Sequence, residues 1–119
     1  LQQVSLVKLE FRGESLNIVD VVMSYAKEYK LVATRHYLEM VESRQNNIVP
    51  DNDGIRTLMS NQKPVYVEEQ SDDKFKLYYS INATYDLIIV ISWKSFSPDR
   101  INLITVHQQE AKRRPGKNG

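Results

Sequence analysis

The sequence predicts an α+β fold, from three observations. Apolar residues recur at helical spacing between Asn17 and Met59, whereas from Val65 to His107 they alternate or run together as in strands. The two kinds of segment are segregated along the chain rather than interleaved, which separates α+β from α/β. The 119 residues are one domain's worth and bury enough apolar surface to need no crosslink. The expected order is one N-terminal strand, two or three helices, and an antiparallel meander of four strands with the helices packed on one face. Residues 1–114 form that single domain and 115–119 a flexible tail.

Ser5 to Phe11 alternates well enough for a short strand, and Gly13 breaks it. Asn17 is a helix cap. Ile18, Val21, Val22, Tyr25, Ala26 and Tyr29 follow as an apolar stripe, with Asp20, Ser24, Lys27, Glu28 and Lys30 opposite. Thr34 caps a second helix with Tyr37, Leu38, Met40 and Val41 inward, and Arg35, Glu39 and Glu42 placed for local ion pairs. After a polar loop through Pro50, Asp51 or Asp53 caps a short helix carrying Ile55, Leu58 and Met59, which ends before Pro64.

Strands then follow. Val65–Glu69 is the first, and Ser71-Asp72-Asp73 is a turn. In Lys74–Ser80, Phe75, Leu77 and Tyr79 point inward and Lys74, Lys76 and Tyr78 outward. Asn82 to Tyr85 turns the chain, so its Asn-Ala-Thr pattern reads as turn chemistry rather than as a glycosylation site. Leu87–Ile91 is five consecutive apolar residues, the pattern of a central strand covered on both faces. Pro98-Asp99 turns into the last strand, Ile101–His107, with Ile104 and Val106 expected beside the core.

Composition removes whole classes of chemistry. With no cysteine there is no disulfide, thiolate metal site or cysteine nucleophile, and two histidines rule out a multi-histidine site. The four glycines are isolated, so there is no phosphate-binding loop of the dinucleotide or Walker type. No apolar run approaches the roughly 18 residues of a membrane span. No signal peptide is expected, and the chain reads as cytoplasmic, without cofactor or metal. Net charge is only +1, but residues 51–73 sum to −4 and residues 94–119 to +4. A basic end of this kind supplies phosphate contacts or is a solvated tail.

What remains is a set of basic and aromatic polar side chains. They are His36 and Arg44 on the second helix, Lys74, Lys76 and Tyr78 on one strand face, Lys94, Arg100 and His107 around the last strands, and Lys112, Arg113 and Arg114 at the end. Such a set suits metal-independent RNA cleavage. There a 2′-OH is deprotonated, a leaving oxygen protonated and a phosphorane neutralised, tasks for histidine and for Arg or Lys. Read structurally, the same residues are a solvated strand face, a histidine that caps or packs, and a tyrosine that packs on its neighbour.

Several of these segments resemble the RelE/ParE toxin superfamily, most closely the BrnT-like toxins and related small uncharacterised domains. They are Thr34-Arg35-His36-Tyr37 through Glu42-Ser43-Arg44, the helix from Asp53-Gly54-Ile55 to Met59, the hairpin at Lys74-Phe75-Lys76-Leu77, and the close Arg100-Ile101-Asn102-Leu103-Ile104-Thr105-Val106. The resemblance covers roughly residues 32–114. It implies a RelE-like α+β fold and a toxin-like ribonuclease, or an inactive relative, neutralised by an antitoxin. It places His36, Arg44, Lys76 and Arg113 as catalytic. Lys74, Tyr78, Lys94, Arg100, His107, Lys112 and Arg114 become RNA contacts. The strand position that usually holds Arg is Lys76 here, a point charge without a bidentate fork. A second reading is a non-enzymatic interaction or dimerisation domain that presents Tyr66, Tyr78, Tyr85 and Trp93. Convergence or scatter of His36, Arg44, Lys76 and Arg113 discriminates between the two.

Overall fold

The computed structural model describes residues 8–11, 14–94 and 96–116. Strands β1 (Lys8–Phe11) and β2 (Glu14–Asn17) form an antiparallel hairpin. They are followed by helix α1 (Ile18–Lys27), strand β3 (Leu31–Ala33) and helices α2 (Arg35–Arg44) and α3 (Asn52–Asn61). Strands β4 (Tyr66–Ser71), β5 (Lys74–Ser80), β6 (Tyr85–Ser92) and β7 (Ile101–Glu110) then lead into a 3-10 turn, Ala111–Arg113. The α+β class holds, with helices gathered over one face of a sheet. Two expected features differ. The N-terminal strand is a hairpin, with the expected residues 5–7 and the break at Gly13 outside the described residues. The meander β4–β7 gains a fifth strand, in the order β3-β7-β6-β5-β4, with β3 parallel to β7.

Local chemistry explains the helix starts. The side chains of Asn17, Thr34 and Asp51 accept hydrogen bonds from the backbone N–H of Val19, Tyr37 and Gly54 respectively. Gly54 is required at its place, since a Cβ there would sit 2.8 Å from Pro50 Cβ. The Thr34 hydroxyl also donates to Leu103 O at 3.0 Å, tying the start of α2 to β7.

Helix α1 ends in a Schellman motif: Lys30 N donates to Tyr25 O and Tyr29 N to Ala26 O. The left-handed position, normally glycine, is Tyr29 at φ 59°. A side chain there costs on the order of 1 kcal/mol. Tyr29 was expected on the apolar stripe; it lies past the helix and is 74% exposed. Leu38 likewise leaves the predicted stripe of α2 and is 44% exposed.

The core lies between the helices and one sheet face. Ile18, Val22 and Ala26 of α1, Tyr37 and Val41 of α2, and Ile55 and Met59 of α3 meet Phe75, Leu77, Tyr79, Leu87, Ile89 and Ile91. Trp93 is buried, set edge-on to Tyr25, and donates to Pro98 O. The outer face also buries Tyr78, Asp86, Ile88 and Ser92, outside this cluster. No helix among the described residues is long and apolar enough to cross a membrane.

Candidate functional site

A β-bulge decides what the outer face carries. In β7, Ile101 and Leu103 face the helices, and strict alternation would send residues 105 and 107 the same way. The register with β6 shifts between Val90 and Ile91, leaving Ile104 unopposed. After the bulge Val106 faces the helices, fully buried, and His107 turns outward. Ile104, expected beside the core, is the inserted residue and is only half-buried.

The pairing register then defines rows across the outer face. Tyr78, Ile88 and His107 lie side by side, as do Lys76, Val90 and Thr105, and Lys74, Ser92 and Asn102. Arg44, the last residue of α2, reaches the β7 edge and donates from Nη1 to Val106 O at 2.8 Å. Next to it a shallow groove of about 340 Å³ is bordered by Ser43, Arg44, Asn46, His107 and Gln108. Burial first, then the charges of Lys76 and Arg44, lower the His107 pKa below its ordinary 6.5. At neutral pH His107 is therefore an uncharged imidazole, able to accept or give a proton, beside two cations. Glu68 sits opposite Lys76 on β4, but its carboxylate accepts the Tyr78 hydroxyl at 3.0 Å. Among the described residues, neither Lys76 nor Arg44 has a carboxylate within 4.0 Å.

The other sequence-derived positions scatter. His36 is exposed on the first turn of α2, eight residues from Arg44 and so about 12 Å along the axis. Arg113 is exposed on the C-terminal turn. Lys74 is exposed at the start of β5, on the same face as Lys76. Lys94 pairs with Asp73 at 3.3 Å, Arg100 with Asp99 at 3.8 Å, and Lys112 with Glu110 at 4.0 Å. Tyr78 is buried with its hydroxyl engaged, which leaves no free ring face of the kind a base contact needs. Of the interaction-surface tyrosines, Tyr66 packs edge-on against Tyr78 at 5.3 Å.

Arg114 holds the C-terminal turn onto the sheet. Its Nε and Nη2 donate to the two Asp86 carboxylate oxygens, each at 2.8 Å, with Asp86 fully buried and Arg114 15% exposed. Its fork is already filled by that carboxylate. The sequence signal was available in Asp86 itself, a lone acid opening an otherwise apolar strand, since buried carboxylates need partners. Among the described residues no cluster of His, Cys, Asp and Glu has the makings of a metal site.

The profile of the MJ0788 family matches residues 17–91, from the Asn17 cap to the end of the apolar run in β6. The chain belongs to the MJ0788 family. The matched segment supplies α1, β3, the three caps, Arg44 and Lys76; β7, with His107, lies beyond it. No curated protein and no solved structure matches the chain.

Proposed function

We propose that this MJ0788-family chain is a cytoplasmic RNA-binding protein that grips the phosphate backbone at Arg44, Lys76 and His107. The observation that carries this reading is that Arg44 and His107 border one groove while Lys76 stands on the outer sheet face across β6, neither cation having a carboxylate in salt-bridge reach among the described residues. Cations without counter-charge favour a polyanion, and a groove this open suits a chain rather than an enclosed small molecule. The likeness to RelE/ParE toxins rests on sequence motifs and points to the same ligand class. His36 stands about 12 Å along α2 from Arg44 and Arg113 lies on the C-terminal turn, so the four positions do not converge; that counts against the catalytic toxin reading, and binding through Arg44, Lys76 and His107 is favoured over cleavage.

The test is fluorescence anisotropy of purified protein with a labelled single-stranded RNA across a salt series, with chelator present. Binding should weaken with salt. Arg44→Ala combined with Lys76→Ala should flatten the slope of log affinity against log salt by about 1.4, roughly 0.7 per lost phosphate contact. Arg113→Ala should leave the slope alone. Time points on a gel read cleavage in parallel: products that vanish in His107→Ala but persist in His36→Ala assign proton transfer to His107. Affinity no greater than that of a neutral control protein defeats the RNA reading and leaves the interaction-domain reading standing.

A further inference from the structure

We infer that a second pocket, adjoining the groove at Arg44 and His107, holds one base of the bound RNA and favours keto bases over adenine. The inference rests on the RNA-binding reading above. The pocket has a volume of about 400 Å³, within the range of ligand sites, and its borders include Asn46, Asn47, Ile48, Asn82, Tyr85 and Gln108. It shares Asn46 and Gln108 with the groove, so the two spaces lie side by side. A nucleotide needs such a layout, since its phosphate and its base are one ribose apart. The groove has Arg44 and His107 for the phosphate, whereas no residue bordering the second pocket is charged. Half-buried Ile48 and Tyr85 give the pocket apolar surface.

Hydrogen bonds fix what the pocket presents. The backbone N–H groups of Ile48 and Val49 can only donate, at 2.7 and 2.8 Å, so the Asn46 side-chain atom that meets them is its oxygen. Its Nδ2 therefore faces Gln108, which must accept with Oε1, at 2.7 Å. The Gln108 amide nitrogen is left with its donors unused. In the turn before β6, Asn82 Oδ1 accepts from the N–H of Thr84 and of Tyr85, each at 2.8 Å, and Nδ2 is left over. Among the described residues neither Gln108 Nε2 nor Asn82 Nδ2 has a partner. Amides held through their oxygens present donors, and donors select acceptors. Uracil has carbonyl oxygens on its edge, and guanine has O6 and N7. Adenine is read by an amide that uses its oxygen and nitrogen together. Here Asn82 Oδ1 already accepts twice and Gln108 Oε1 is turned to Asn46. Asn47 is exposed, its side chain without a bond among the described residues, and must be ordered before it contributes.

The experiment compares labelled oligouridylate and oligoadenylate of about six nucleotides, by anisotropy at one salt concentration. The two carry equal charge, so the ratio of their affinities is insensitive to phosphate contacts. Stacking within the adenylate is common to every variant and cancels when ratios are compared. The wild-type chain should prefer uridylate by about 5- to 100-fold, the worth of a well-placed pair of hydrogen bonds to a base. Asn82→Asp and Gln108→Glu keep the oxygens that hold the turn and the loop but replace donors with acceptors. Each should move the ratio towards parity. Asn46→Asp still accepts from Ile48 and Val49 but has no donor for Gln108, which turns its amide nitrogen to the new carboxylate and its oxygen away. This positioning variant should lose the preference too, and the melting midpoints of all three should stay near that of the wild type. A wild-type ratio within about twofold of parity, or a ratio that none of the variants changes, would overturn base selection and leave RNA binding intact. A lowered midpoint with equal losses on both oligomers would also overturn it, by making the amides supports of the fold. No binding of either oligomer by the wild-type chain overturns both readings.

Discussion

Along β6, Leu87, Ile89 and Ile91 press against the helices, while Asp86, Ile88, Val90 and Ser92 look the other way. On the helix side the neighbours are aliphatic and aromatic, drawn from three helices and three strands. On the outer side burial is partial, and it is achieved with a salt bridge, a tyrosine hydroxyl on a glutamate, and half-buried Lys76 and His107. The first face is held by non-directional burial and tolerates repacking. The second depends on partners with fixed geometry, and removing one leaves the other stranded. A sheet face can therefore bury part of its residues and still present charge.

The largest expected effect tests whether the outer face contributes to stability. Arg114→Ala should cost about 3–5 kcal/mol in denaturant unfolding, because Asp86 stays buried without its partner. Replacing both residues by apolar ones should restore most of that loss. A cost near zero would make the outer face ordinary surface and erase the contrast.

On the helix side, Ile89→Ala should cost about 2–5 kcal/mol by emptying a fully buried aliphatic site. Ile89→Val, with a smaller volume change, should cost about 0.5–1.5 kcal/mol.

Alkaline pH comes next. Burial raises the pKa of Tyr37 and Tyr79 well above the ordinary 10, and burial with the bond to Glu68 does the same for Tyr78. Above pH 10 the unfolded chain gives up these protons and the folded chain keeps them, so stability should fall as pH rises. The slope is up to about 1.4 kcal/mol per pH unit for each group. Thermal melts should show Tyr37→Phe and Tyr79→Phe each reducing that slope.

The smallest effect lies on the acid side and belongs to the outer face. His107 has a lowered pKa when folded, so below about 6.5 the unfolded chain binds the proton more readily. Stability should decline as pH falls through 6.5 and level off below the folded value. His107→Gln should remove the decline attributable to this group.

Much of this was legible in the sequence because it is local. Asn17 and Thr34 cap the helices they were expected to cap, and of the two acids offered for the third helix Asp51 is the cap, since capping needs only a short polar side chain and the next turn of backbone. The inward set Phe75, Leu77 and Tyr79 followed from a two-residue period. What was hidden depends on residues far apart. Leu31–Ala33 is too short to signal a strand and is one only because β7 lies beside it. The bulge at Ile104 breaks the alternation that would have shown where His107 points. Nothing within a few residues of His36 or His107 tells which shares a face with Lys76. Tyr78 and Arg114 read as exposed contacts because Glu68 and Asp86, their partners, lie ten and 28 residues away.

The parallel pairing of Leu31 with Ile101 also orders events as the chain leaves the ribosome. Among the described residues β3 pairs only with β7, so it has no strand partner there until residues 101–103 have been made. The meander β4–β6 can zip as neighbouring hairpins while Leu31–Ala33, Thr34 and the start of α2 wait. Closing so long a loop is the slow kind of contact to form. When β7 docks, it brings in β3, the Thr34 hydroxyl's bond to Leu103 O and the Arg44 bond to Val106 O together. The last strand made is thus the one that finishes the sheet, and the face that carries Lys76 and His107 is complete only at that moment.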